Sequence, residues 1–179
     1  MRIVSGTHRG RVIKPPKNLP VRPTTDLAKE SLFNILNNLV YFEDLRILDL
    51  FSGTGNISYE FYSRGSHNIT SVEQDFKCAR FIKQTAEQLK MDGLKVVQAN
   101  VFSFLKNSLK YDIIFADPPY DIGRYEELTE TIINKDLLNE EGILIIEHPA
   151  DVQLSHFQGY SNTRNYGRVH FSFFMKSDD

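Results

Sequence analysis

Asp49-Leu50-Phe51-Ser52-Gly53-Thr54-Gly55-Asn56 closes the apolar run 46–51 (RILDLF), and Asp117-Pro118-Pro119-Tyr120 follows a second run, 111–116 (YDIIFA). A buried-strand run that ends in glycines and passes straight into a helix is the pattern of a parallel α/β unit. Runs of the same kind lie at 69–73 (ITSVE), 94–98 (LKVVQ) and 142–147 (GILIIE), and helix-compatible segments separate them at about 55–64, 76–91, 101–108 and 123–138. Such alternation predicts a mostly parallel sheet with helices on both faces. After Pro149 the runs 154–163 and 168–175 are too close together for a crossover helix. They are expected to form an antiparallel hairpin at one sheet edge, which completes a seven-stranded, Rossmann-like α/β fold.

Upstream, RIVSG and RVIK about the turn-prone THRG predict a small β-hairpin over residues 2–14. The proline-rich PPKNLPVRPTT then reads as an extended connector, and Leu27, Phe33, Leu36 and Leu39 mark an amphipathic helix from about Asp26 to Leu39. One domain, 1–179, is expected, with a basic hairpin and linker at 1–24 and an α/β core at 25–179.

The 179 residues are 41% apolar and 25% charged, which suits a chain that buries its own core without disulfides or metals. A single cysteine and no apolar run near 18 residues argue against a disulfide scaffold and a membrane span. MRIVSGTHRGRVIK lacks the apolar stretch of a signal peptide, so a cytoplasmic location is expected. The net charge of −2 hides an asymmetry: residues 1–29 hold seven Lys/Arg against one acid, whereas 30–179 hold fourteen against twenty-two. A basic arm on an acidic body points to a polyanionic partner met at one end.

The glycines of the first motif let a ligand approach the backbone and leave helix N-terminal N–H groups for an anionic group. Ser58 stands where the dinucleotide fingerprint G-x-G-x-x-G has its third glycine, which weakens a pyrophosphate reading. Glu73 ends the next run, 24 residues after Asp49, where a carboxylate can accept from a ribose diol. Asn100 is placed to accept from an adenine amino group, or to serve as a local turn residue. In the second motif the prolines fix the turn so that the Asp117 carboxylate and the Pro118 carbonyl can act on one ligand, and Tyr120 offers a flat face to a base. The first and fourth strands adjoin at the switch point of a doubly wound sheet, so both motifs should face one crevice.

DLFSGTGN, Glu73 and DPPY resemble the class I S-adenosylmethionine-dependent methyltransferases that modify exocyclic amino groups of bases. MRIVSGTHRGRVIKPP, RPTTDLAKESLFNIL and RNYG resemble more narrowly the RsmD family, which methylates N2 of one guanine in small-subunit (16S) ribosomal RNA. The resemblance implies S-adenosylmethionine held by Asp49, Phe51, Gly53, Thr54, Gly55, Glu73, Asn100 and Val101. It implies catalysis by Asp117, Pro118 and Tyr120, and RNA contacts by Arg9, Arg11, Arg22, Thr24 and Pro119. The implied partner is ribosomal RNA or the small ribosomal subunit, without a membrane or a metal. Two positions depart from the family: Asn100 replaces the usual Asp, and the arginine-rich RPTTDRVRE becomes RPTTDLAKE, which changes charge at Leu27 and Lys29.

The closest rival is an amino methyltransferase acting on adenine N6 or cytosine N4 of DNA or of another RNA. Residues 121–141 leave little room for the target-recognition region such enzymes carry. A nucleotide-binding oxidoreductase is disfavoured by Ser58 and DPPY, and the intact motifs give no reason to prefer a catalytically idle RNA-binding protein. Cys78, the only thiol, lies in the helix after Glu73 and is read as a packed or partly exposed side chain. The histidines show no metal-ligand spacing, His8 is read as a solvated turn residue, and Phe51, Phe102 and Phe115 as core.

Overall fold

The five runs that start the alternation become five parallel strands. A computed structural model describes residues 1–20 and 25–176, so Arg22 and Thr24 lie outside the described residues. In chain order the elements are α1 (Asp26–Leu36), β1 (Arg46–Leu50), α2 (Asn56–Ser63), β2 (Asn68–Glu73), α3 (Phe76–Gln88), β3 (Leu94–Gln98), α4 (Val101–Leu105), β4 (Tyr111–Ala116), α5 (Tyr125–Asn134), β5 (Leu138–His148), β6 (Tyr160–Tyr166) and β7 (Val169–Met175). The seven strands form one sheet in the order β3-β2-β1-β4-β5-β7-β6. The first five in that order run parallel, and β7 lies antiparallel between β5 and β6.

Alternation along the strands divides the core into two layers. Ile47, Ile69, Ile113, Phe115 and Ile145 meet α1, α2 and α3 on one face. Leu48, Leu50, Ile114 and Ile146 meet α4 and α5 on the other. Several boundaries differ from expectation. β5 starts at Leu138, paired with Tyr111 before a register shift, and the polar Asn139-Glu140-Glu141 hides that start in the sequence. α5 stops at Asn134 because Asp136 takes a φ of 51°, and β6 begins at Tyr160, after the buried Leu154. α1 ends at Leu36 rather than Leu39.

The N-terminal hairpin is present, but as a single bridge between Arg2 and Val12 rather than two strands. Ile3 N donates to Arg11 O and Ile13 N to Met1 O, both at 2.9 Å. Ile3 and Ile13 are buried in the α1–α3 layer, so the hairpin is built into the core. Its turn docks on the C-terminal end of α2: Thr7 N donates to Ser63 O at 2.7 Å and His8 N to Ser63 Oγ at 2.9 Å. Gly6, at φ 82°, is needed there, because a Cβ would sit 1.7 Å from Ser63 O. His8 is not a solvated turn residue: it is half-buried, with Nε2 3.0 Å from Leu89 O and its ring edge-on to Tyr62.

A buried ion pair locks the hairpin to the body. Lys29 and Glu60 are both 0% exposed, with Nζ and Oε2 3.3 Å apart. Lys29 also donates to Arg2 O at 2.5 Å and Asn56 Oδ1 at 2.8 Å, while Glu60 accepts from Val4 N, Ser5 N and Arg64 Nε at 2.9, 3.0 and 2.9 Å. Burial pulls the Lys29 amine below the ordinary lysine value, and Glu60 opposes the shift. Lys29 is thus an internal tie, whereas Leu27, two residues earlier, is 71% exposed.

Candidate active site

The glycine loop is shaped by left-handed backbone. Phe51, Gly53 and Gly55 have φ of 58°, 56° and 81°, and Gly55 is the N-cap of α2. Asp49 lies beneath the loop, 1% exposed, and accepts the Ser58 hydroxyl at 2.5 Å. Burial pushes the Asp49 carboxyl up to about 7, against the lowering effect of that hydrogen bond. Ser58, the residue in place of a third fingerprint glycine, also meets the Ser71 hydroxyl. It therefore joins the loop's first helix to both β1 and β2 through hydrogen bonds that glycine cannot make.

Glu73, at the end of β2, closes the loop from the other side: its Oε2 accepts Gly53 N and its Oε1 accepts Asp75 N, both at 2.8 Å. Each oxygen keeps further lone-pair capacity for a diol. Thr54 is buried, and its hydroxyl lies 3.4 Å from Met1 Sδ, so the hairpin touches the loop directly.

Asp117 N donates to Leu50 O at 3.3 Å, which brings the DPPY segment beside the glycine loop at the β1/β4 switch point. Asp117 is half-buried and Pro118 buried, whereas Pro119 and Tyr120 are exposed. Ile122 N, at 2.9 Å, and the Tyr125 hydroxyl, at 3.5 Å, both donate to Pro119 O and hold the turn. Asn100 is the N-cap of α4: its Oδ1 accepts Ser103 N at 3.2 Å and its Nδ2 donates to Gln74 Oε1 at 3.0 Å, so the turn role is the one its side chain plays. Val101 is buried in the α4–α5 layer, so it can border the crevice only through its backbone. Of the three phenylalanines expected in the core, Phe115 is buried, while Phe51 and Phe102 are half-buried.

Arg9 and Arg11 are exposed on the hairpin. Its turn sits at the C-terminal end of α2, whose eight residues span about 12 Å, and the glycine loop sits at the other end. The turn is thus about one helix length from the loop. Three features of this region carry no local sequence signal. Glu147 lies next to last in β5, which pairs with the strand that leads into DPPY, Arg124 lies 3.6 Å over the Phe102 ring, and the Lys29–Glu60 pair backs α2. Among the described residues no group of three or more His, Cys, Asp or Glu could hold a metal ion, and no helix is long and apolar enough to cross a membrane. Cys78 is fully buried in α3, and burial pushes its thiol up to about 12.

The acceptors gathered at the strand ends are Asp49, Glu73 and Asp117, all carboxylates. Acidic groups of this kind suit a cationic ligand and repel a pyrophosphate. Residues 121–141 contain α5, its flanking turns and the start of β5, which leaves no separate target-recognition region.

A family model described as "Conserved hypothetical protein 95" matches residues 1–175. The chain belongs to that family. It is 34% identical over 159 residues to "Putative rRNA methyltransferase YlbH" of Bacillus subtilis (strain 168), covering 86% of this chain and 85% of that protein. It is 32% identical over 152 residues to "Ribosomal RNA small subunit methyltransferase D" of Escherichia coli (strain K12), covering 84% and 76%. Among solved structures, "Putative methyltransferase yhhF from Escherichia coli" superposes with a TM-score of 0.85 at 29% identity, covering 100% of this chain and 99% of that one. Fold and family together make the protein a methyltransferase with the class I architecture.

Proposed function

We propose that the protein transfers a methyl group from S-adenosylmethionine to the exocyclic N2 of a guanine in small-subunit ribosomal RNA, in the cytoplasm, with residues 1–179 acting as one domain. The observation that carries this reading is the Asp117 N to Leu50 O hydrogen bond, which sets an acceptor-bearing DPPY turn beside the glycine loop. The bound cofactor supplies an electrophilic methyl group on a sulfonium. Glu73 holds its ribose, and the turn through Phe51, Gly53, Thr54 and Gly55 together with Asp49 receives its amino-acid end. Asn100 and Val101 border its adenine.

The guanine amino group is a poor nucleophile because its lone pair is delocalised into the ring. Asp117 through its carboxylate and Pro118 through its carbonyl accept the amino hydrogens, which favours a pyramidal nitrogen with a localised lone pair. Held in this way, the amino group would present that lone pair to the group it attacks, and the Asp117 charge would stabilise the positive charge that develops on nitrogen. The base must leave its stack to reach the turn, where Tyr120 stacks on it and Pro119 lines its approach. Arg9 and Arg11, one helix length away, bind flanking phosphates rather than the reacting base, whereas Arg22 and Thr24, which precede α1 in the sequence, are assigned to the substrate crevice.

Mass spectrometry of ribosomal RNA from cells with and without the gene tests this reading. One N2-methylguanine should be missing from the small-subunit RNA, and loss of another modification instead would overturn the substrate. Two further results are expected. Glu73→Ala should weaken S-adenosylmethionine binding by about tenfold or more, as befits hydrogen bonds to a charged acceptor; an unaltered dissociation constant in calorimetry removes Glu73 from the site. Arg9→Gln and Arg11→Gln should each flatten the dependence of log RNA affinity on log salt by about 0.7–0.9. Point changes are the right probe here, because deleting the hairpin would also remove Ile3 and Ile13 from the core and strip Glu60 of two donors.

A further inference from the structure

Ala116 and Ile146 are partners in the parallel β4–β5 ladder, so the next residues along each strand, Asp117 and Glu147, lie side by side beyond it. Strand alternation puts both on the face that carries Phe115 and Ile145. Glu147 is only 4% exposed, and its Oε2 is buried with no hydrogen-bond partner among the described residues. An orphaned buried carboxylate oxygen is costly, and such groups persist where function needs them. Burial pushes the Glu147 carboxyl up to about 7, so a donor brought to it favours the ionised form. Burial holds the proton of the Tyr125 phenol, and the nearby Asp117 and Glu147 carboxyls act in the same direction.

We propose that Glu147 is the specificity-determining residue of this site, accepting the N1–H of the target guanine while Asp117 accepts from its 2-amino group. The proposal rests on the guanine-N2 reading above. Guanine presents N1–H and the 2-amino group as adjacent donors, which two neighbouring carboxylates match. Adenine and cytosine each present a ring-nitrogen lone pair beside the amino group, and a carboxylate repels that lone pair. A pair of acidic acceptors therefore selects the base as well as holding it.

The test uses 2-aminopurine, which keeps the 2-amino group but carries a lone pair at N1. RNA, or reconstituted small subunits, bearing guanine or 2-aminopurine at the methylated position is offered to wild-type protein and to Glu147→Gln. Wild type should favour guanine by at least about tenfold in kcat/KM. Glu147→Gln, whose amide N–H can donate to the N1 lone pair, should lose that preference or reverse it, while its S-adenosylmethionine affinity in calorimetry stays at the wild-type value. A variant that keeps the wild-type preference, or that loses both substrates equally, overturns the proposal. If Glu147→Gln does not fold, Glu147→Asp reads the same point: withdrawn by one methylene, its carboxylate should lower the preference without changing its sign, and an unchanged preference overturns the proposal. Wild-type protein that methylates neither base refutes the guanine reading itself, and this proposal with it.

Discussion

Asp117→Ala should lower methyl transfer by about 10³-fold or more while S-adenosylmethionine still binds. Loss of a single preorganised electrostatic contact at a developing charge costs about 10²–10³-fold, and loss of orientation of the amino group adds to it. The hydrogen bond to Leu50 O survives the substitution, because it is the Asp117 main chain that donates it. Single-turnover transfer of labelled methyl groups reads the rate, and calorimetry reads cofactor binding. Turnover at the wild-type level would exclude Asp117 from the chemistry. Loss of cofactor binding in parallel would assign it to the cofactor instead.

The second large effect is on stability. Lys29→Met leaves Glu60 charged and fully buried with one cationic partner fewer, and Glu60→Leu strands Lys29 in the same way. Breaking a buried pair from one side costs about 3–5 kcal/mol, a large part of the roughly 5–15 kcal/mol that holds a domain together. Replacing both residues at once should cost much less than the sum of the single changes, since no uncompensated charge is left between them. Denaturant midpoints of the two single variants and the double variant measure the difference. Additive losses would mean that the charges act independently.

Much of the fold was legible because each parallel strand is a short apolar run bounded by helix-compatible sequence. That pattern yields the sheet, the β1/β4 switch point and the crevice between the two motifs. The start of β5 was not legible, because Asn139-Glu140-Glu141 carries no apolar signal and pairing across Tyr111 and Leu138 is a tertiary fact. In the sequence Lys29 shows only as a changed charge, because nothing local marks a lysine as buried; its partner is 31 residues away in α2. Glu147 carries no signal for a similar reason. At the end of an apolar run it looks like any polar strand terminus, as Glu73 does. Glu73 was recognised by its spacing from the glycine loop, whereas the meaning of Glu147 depends on which residue stands beside it in the next strand.

The docking of the hairpin on α2 also bears on how the chain reaches its final form. Residues 1–13 can close their own short pairing as soon as they exist, a local and fast event. The contacts that dock them on α2, from Val4 and Ser5 to Glu60 and from Thr7 and His8 to Ser63, join residues 55 or 56 apart in the sequence. Closing a loop of that length carries an entropic cost that the hairpin's own contacts do not offset. The basic arm is thus made early and fixed late, after β1 and α2 have formed. Until then an intermediate has its positive charge on a loose tether and an apolar seat for Ile3 and Ile13 open to solvent. That intermediate, rather than the native protein, is the species most exposed to aggregation and to proteases.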